Sequence, residues 1–306
     1  MSASVQSSFV PQVWAARFLS RLMEALVWGR LVNRNYEGEI QSMGDTVKVP
    51  VPTTAITVKD YSADTDIDDA EIAAGSSVDL DIDKQKYTHF YLDDVDRAQS
   101  RPDVMDEAMR WAAYQMALEI DEDIRTEVNN TGFDASRRTA AVTETISPAS
   151  GWVPKFIEGL AATTRAFEEA NVRGPLWAVV PPSVMEALTV YYATTQASGS
   201  IFVPATAEDA LRDGFSGMLL GYSLHTTNQV PRGNPQTAAV IAGAATGDRI
   251  WCGRGNESIT FASQITENEA YRPEKRFGDA VKQLMVYGVK NVLPARLRFI
   301  DIRKPA

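Results

Sequence analysis

The residues of this chain that could do chemistry are few, and their spacing argues against most of it. Asp64, Asp66 and Asp68 stand at alternate positions, as the first ligands of an EF-hand calcium loop do. That loop then needs a glycine at its sharp turn and a bidentate glutamate at its end, and here those places hold Asp69 and Gly75. The flanks alternate like strands and not like helices, so a solvated acidic loop is the expectation. Asp93, Asp94 and Asp96 make a second carboxylate group. Consecutive side chains ahead of a helix diverge, and no histidine or second acidic pair is matched to them. Glu119, Asp121, Glu122 and Asp123 make a third group, inside a helical pattern. Within it only Glu119 shares a face with Glu122 or Asp123, so this group is expected to be the solvated side of the helix.

Nucleophilic and cofactor chemistry fare no better. The two histidines, His89 and His225, lie far apart in sequence, and Cys252 is the single cysteine. Neither a zinc cluster nor an internal disulfide follows from that set. There is no P-loop and no G-x-S-x-G elbow. Gly253-Arg254-Gly255 lacks a third glycine, and the residues after it, Ile259-Thr260-Phe261, look like a strand and not a helix. Cys252 beside Trp251 reads as a packed thiol. No catalytic, cofactor-binding or metal-binding residue is expected, and the chain is not read as an enzyme. An α/β enzyme built around His89 or His225 stays as a remote alternative.

The elements that frame these residues are easier to read. The stretch from Tyr91 to Val128 carries the longest helical pattern, opening at Arg101-Pro102 behind a capping Ser100. Met105, Met109, Ala112, Met116, Ile120 and Ile124 recur at three or four residues and predict one apolar stripe. A helix over 102–128 would span roughly 40 Å at ~1.5 Å per residue. From Pro11 to Trp28 a second pattern aligns Trp14, Phe18, Leu22, Ala25 and Leu26. That stripe fits either the subunit's own core or an arm docked on a neighbour. Val47, Val49 and Val51 alternate with polar residues, as do Val78, Leu80 and Ile82, which predicts a long hairpin with an acidic tip. Pro50 and Pro52 keep its first strand out of a sheet centre. A two-stranded hairpin is marginal alone, so it must lie on its own domain or on another chain.

Farther along, 129–150 reads as loop, 154–170 as a helix, 176–180 as a buried strand and 182–192 as a helix. This alternation marks an α/β domain. Strands are expected over 219–226, 238–242, 281–292 and 296–302, with 243–255 as a turn-rich connection.

Composition excludes several classes. The chain has 306 residues, is 44% hydrophobic and 23% charged, and carries a net charge of −10. An acidic surface without a lysine–arginine cluster argues against sequence-specific nucleic-acid recognition, yet suits a container that must not stick to DNA. No apolar run is long enough for a membrane span, and MSASVQSSF lacks the features of a secretory signal. A cytosolic origin is expected.

The order of parts, together with GDTVKVP (44–50), YLDDVDRAQ (91–99) and AYRPEKRFGDAVKQLMVYGVKNVLP (270–294), resembles the tailed-phage major capsid proteins of the HK97-like fold. The resemblance covers nearly the whole chain. It implies an α+β fold divided into an N-arm (1–43), an E-loop hairpin (44–86), a P-domain with the spine helix (87–151), an inserted A-domain (152–265) and P-domain return strands (266–306). It implies a shell protein that self-assembles around phage double-stranded DNA without sequence-specific contacts, in a virion built in the host cytoplasm. Homo-oligomeric pentamers and hexamers, a portal protein and a separate scaffolding protein would be its partners. The last is expected because the arm begins almost at Met1, without the long segment that many relatives carry ahead of it. An encapsulin-type nanocompartment is the alternative within the same fold.

The same resemblance implies subunit contacts through Trp14, Phe18 and Leu22 on the arm and through Lys59, Tyr61, Asp64 and Asp66 on the loop. Asp94 before the spine and Arg272, Lys275 and Arg276 in the charged turn complete the set. Covalent cross-linking is known in this fold, and Lys59 with Asn291 would be the pair to consider. The hairpin's missing support would then be another chain.

Overall fold

The computed structural model describes residues 22, 26–36, 46–51, 58, 60–61, 75–93, 104–131, 135–146, 151–197, 218–230, 247–274 and 277–303. In chain order its strands are β1 (Thr46–Val51), β2 (Ser76–Asp81), β3 (Lys84–Asp93), β4 (Arg138–Thr145), β5 (Leu176–Val180), β6 (Met218–Leu219), β7 (Tyr222–Thr226), β8 (Gly247–Arg254), β9 (Ile259–Tyr271), β10 (Gly278–Asn291) and β11 (Leu297–Arg303). Its helices are α1 (Val104–Thr131), α2 (Trp152–Glu169) and α3 (Pro182–Ala197).

Helix α1 is 28 residues long. It has no glycine or proline to break it, and its buried residues follow the helical period: Met109, Ala113, Met116, Ile120, Ile124 and Val128. Ala113 joins the stripe fully buried, and the expected Ala112 packs against it partly buried. The stripe is buried because α1 is a wall shared by two sheets. Val281, Met285, Tyr287 and Val289 meet it from one, and Trp177, Val179, Trp251, Leu297 and Phe299 from the other. Each large apolar side chain closed into that seam contributes about 1.5–3 kcal/mol.

The first sheet has three antiparallel strands in the order β3-β10-β9. The second has six, in the order β4-β11-β8-β5-β7-β6, with β4 parallel to β11 and β5 parallel to β7. Its face away from α1 is closed by α2 and α3, through Trp152, Phe156, Leu160, Val184 and Leu188 against Ala178, Val180, Ile300 and Ile302. Gly159 allows α2 to lie close, since a Cβ there would stand 3.1 Å from the Ala140 Cβ and 3.3 Å from Ile300.

The predicted hairpin forms, with Thr46 opposite Asp81 and Val51 opposite Ser76. Its support corrects the expectation that another chain would supply it. Val47, Val49, Leu80 and Ile82 pack on Ala262, Val286 and Val292 of the same chain. Gly288 makes room, because a Cβ there would come within 2.3 Å of the Asp81 carbonyl oxygen.

Three further expectations are corrected. Residues 297–303 were placed with the returning P-domain strands, and they form β11 in the six-stranded sheet instead. Residues 138–145, read as loop, form an edge strand beside β11. Residues 247–254, read as turn-rich, form β8, which lies between β11 and β5. A strand covered on both faces shows no alternation, and Asp248, Arg249 and Gly253 disguised its apolar content. Residues 238–242 lie outside the described residues.

Candidate assembly surfaces

The acidic run of α1 is the sharpest departure from expectation. It is a solvated face only in part: Glu119 and Glu122 reach solvent while Asp121 is buried, and all four carboxylates are engaged. Glu119 binds Lys86 of β3, and that contact raises the lysine pKa. Asp123 pairs with Lys84 at 3.1 Å and accepts the Tyr287 hydroxyl. Burial and that donation push the Tyr287 phenol upward. Glu122 binds Arg125 one turn along. Asp121 is 3% exposed and accepts backbone N–H groups from the segment around Trp28. These contacts tie α1 to the three-stranded sheet and to residues 27–29. Pattern reading missed the contacts of Glu119, Asp121 and Asp123 because their partners lie on other elements.

The histidines and the cysteine stand apart. His89, on β3, has its Nε2 3.1 Å from the Tyr271 hydroxyl and its ring stacked on that tyrosine at 6.0 Å. His225 lies on β7 of the other sheet, half-buried, and burial with the nearby charge of Arg30 lowers its pKa. Cys252 is fully buried and its thiol is pushed up by that burial, which leaves it protonated and inert. Asp93 accepts the Tyr91 hydroxyl at 3.3 Å. Among the described residues no three His, Cys, Asp or Glu side chains form a group that could hold a metal ion. Among them, too, no helix is long and apolar enough to cross a membrane.

What the molecule does present is apolar surface on one side of the three-stranded sheet. The hairpin covers one end of that face, at Val286. The other end carries Tyr87, Tyr91, His89 and Tyr271, with Phe277 at its margin 82% exposed. The Tyr91 hydroxyl donates to the Phe277 carbonyl at 2.7 Å and so holds that margin in place. Lys282 sits between the Glu269 carboxylate at 2.6 Å and the Tyr271 ring at 5.4 Å. Elsewhere Trp111 and Tyr114 stand exposed on α1 in an edge-on pair at 6.1 Å. On the hairpin side Val58 is 98% exposed and Tyr61 is exposed too. Large apolar groups gathered on a surface mark contact sites.

No family model matches the chain, and no curated protein sequence matches it. Solved structures do. A protein of Mycobacterium phage Che8 is 25% identical and superposes with a TM-score of 0.62, over 90% of both chains. The capsid of Ralstonia phage GP4 is 14% identical, with a TM-score of 0.65, over 90% of this chain and 88% of that one. The chain has the HK97-like capsid fold. This capsid fold also brings it near the SrpI encapsulin complex of Synechococcus elongatus, at 12% identity and a TM-score of 0.53, over 90% and 86% of the two chains.

On this capsid fold the contact residues expected from sequence fall into three groups. Tyr61 and Arg272 are exposed. Leu22 is fully buried in its own subunit's core, beside Leu26, Trp28 and the α1 stripe. Trp14, Phe18, Lys59, Asp64, Asp66, Asp94, Lys275 and Arg276 lie outside the described residues. The sequence reading did not pick out Tyr87, Phe277, Trp111 or Tyr114. For Tyr87 the period-2 pattern of β3 held the signal, since its even-numbered residues face α1 and its odd-numbered residues face outward.

Proposed function

We propose that the chain is the major capsid protein of a tailed phage, and that many copies assemble into the icosahedral shell that encloses its double-stranded DNA. The observation that carries this reading is correspondence over 90% of both chains with a phage protein at 25% identity, joined by capsid structures matched over 88% of their own length. The role is structural, without a catalytic site.

The parts take the following roles. Residues 1–43 act as an arm, and the hairpin of 44–86, seated on its own subunit at Val286 and Val292, reaches a neighbour through its loop. The three-stranded sheet with α1 forms the peripheral domain, and the six-stranded sheet with α2 and α3 forms the axial domain that meets its copies in pentamers and hexamers. The hairpin tip is rich in aspartate, at Asp60, Asp64, Asp66, Asp68 and Asp69, while Arg272, Lys275 and Arg276 gather positive charge. Opposite charge on neighbouring copies steers them into one register. Each contact is weak alone, and simultaneous engagement in a closed symmetry makes the shell strong. The net charge of −10 keeps the wall from binding the DNA it encloses. Assembly takes place in the host cytoplasm with a portal.

Electron microscopy of the purified chain, with and without a scaffold, tests this. DNA-sized icosahedral particles are expected, and a stable monomer at high concentration in both conditions defeats the reading. Deleting residues 55–75 is expected to leave the subunit folded and to lower particle yield at least tenfold; unchanged assembly removes the loop from its assigned role. The match to an encapsulin favours a second reading, a small shell filled with a protein cargo. Particle diameter and contents separate the two.

A further inference from the structure

One end of the six-stranded sheet gathers arginines from two adjacent strands and from the turns beside them. On β8 Ile250 and Cys252 face α2 and α3, and on β11 Ile300 and Ile302 do the same. Strand alternation places Arg254 and Arg298 on that face too. Arg298 stands opposite Cys252, so Arg254 is its diagonal neighbour on the adjoining strand. Long side chains reach each other across such a diagonal.

Two turns close against this end. Gly174 has φ +131° and Gly255 has φ +75°, and a Cβ on Gly174 would stand 3.2 Å from the Gly255 Cα. That close approach lets two guanidinium groups bind successive carbonyls. Arg296 Nη1 donates to the Arg173 carbonyl at 3.2 Å, and Arg254 Nε donates to the Gly174 carbonyl at 3.2 Å. Arg296 Nη2 pairs with Glu257 at 2.9 Å. Arg173 is exposed on the same turn.

What remains is uncompensated positive charge. Arg254 Nη1 and Arg298 Nε are buried, and neither has a hydrogen-bond partner among the described residues. Glu168, exposed on the last turn of α2, is the nearby carboxylate. Burial pushes the Tyr222 phenol upward, and Arg254 and Glu168 act on it with opposite sign. Yet no ion pair joins Glu168 to Arg254 among the described residues. A buried charged donor without an acceptor is costly. A water molecule would accept the hydrogen bonds and leave the charge, whereas an oxyanion answers both. Guanidinium groups match phosphate oxygens, and a tetrahedral anion offers oxygens to two arginines on different strands at once. We propose that Arg254 and Arg298, with Arg173 at the rim, form a binding site for a phosphate group. The site goes beyond the capsid reading and does not depend on it.

Thermal unfolding of the full chain, in inorganic phosphate against chloride at equal ionic strength, tests the site. At about 10 mM phosphate the Tm is expected to rise by about 3 °C. Phosphate also stabilises proteins by being excluded from their surfaces, so the variants decide. In Arg254→Gln and in Arg298→Gln the rise is expected to fall to less than about a third of the wild-type value. Arg110→Gln, on the exposed side of α1, should keep it in full. No rise in the wild-type chain overturns the proposal, and so does an equal rise in all four chains. Should the glutamine variants not fold, phosphorus NMR of the wild-type chain reads binding directly. Broadening of the phosphate line that sulfate reverses supports the site, and an unbroadened line overturns it. A short DNA duplex replaces inorganic phosphate in a second arm. Stabilisation by the duplex that is lost in Arg254→Gln makes backbone phosphate the source, stabilisation by the free ion alone makes it inorganic phosphate, and either result supports the site.

Discussion

The two sheets share the wall of α1 and differ in what lies on their far sides. The six-stranded sheet is closed there by α2 and α3, and its central strands β5 and β8 are buried on both faces. Among the described residues, the three-stranded sheet is closed on its far side at one end, by the hairpin, and shows an aromatic face at the other. A sheet buried on both faces is core, and mutation there is read as stability. A sheet buried on one face can serve two tasks, with stability carried by the helix side and association by the open side. The six-stranded sheet is therefore expected to fail by unfolding and the three-stranded sheet by failing to assemble.

The largest effect is expected from Trp251→Ala. Trp251 is fully buried on β8 and packs on Phe299 with ring centroids at 5.1 Å. Its loss should cost about 3–5 kcal/mol of subunit stability, measured by denaturant unfolding. A cost under ~1 kcal/mol would remove the six-stranded sheet from its role as core.

Next comes the helix side of the three-stranded sheet. Gln283 is buried there with both amide atoms unpartnered among the described residues, opposite Thr88, whose buried hydroxyl is unpartnered as well. An unpaired buried polar group costs about 1–3 kcal/mol. Gln283→Leu is therefore expected to raise subunit stability by about 1 kcal/mol, read on the same unfolding curves. A loss of stability would mean that the amide is satisfied and the two sides of this sheet are less distinct than drawn.

The smallest effect on the subunit should come from the open side. Phe277→Ser is expected to change subunit stability by no more than ~0.5 kcal/mol while lowering particle yield. Analytical ultracentrifugation checks the yield. Equal yields from the two chains would leave the aromatic face without a role in assembly.

Much of the fold was legible because it rests on local periodicity. The α1 stripe and the alternating hairpin strands at Val47–Val51 and Val78–Ile82 follow from side chains that repeat with the period of their element, and Leu176–Val180 was legible as a short continuous apolar run. β8 was not legible, because burial on both faces erases alternation and Asp248 and Arg249 are charged. Arg249 is buried only because Asp301 at 3.0 Å and Asn129 at 2.7 Å receive it, from a strand and a helix distant in sequence.

The acidic run of α1 draws the line between the two kinds of knowledge. By itself the sequence determined that Glu119, Asp121, Glu122 and Asp123 lie on a long helix, because helix formation depends on residues within a few positions of one another. Only the tertiary structure decided that Lys84, Lys86 and the Val27–Gly29 backbone would meet them. The same holds for the hairpin, whose strands were written locally and whose seat on Val286 and Gly288 was not. The reason is physical. Helical and strand periods are set by neighbours along the chain, whereas the partner of a charge or of an apolar face is set by whichever element the completed fold brings within a few ångströms.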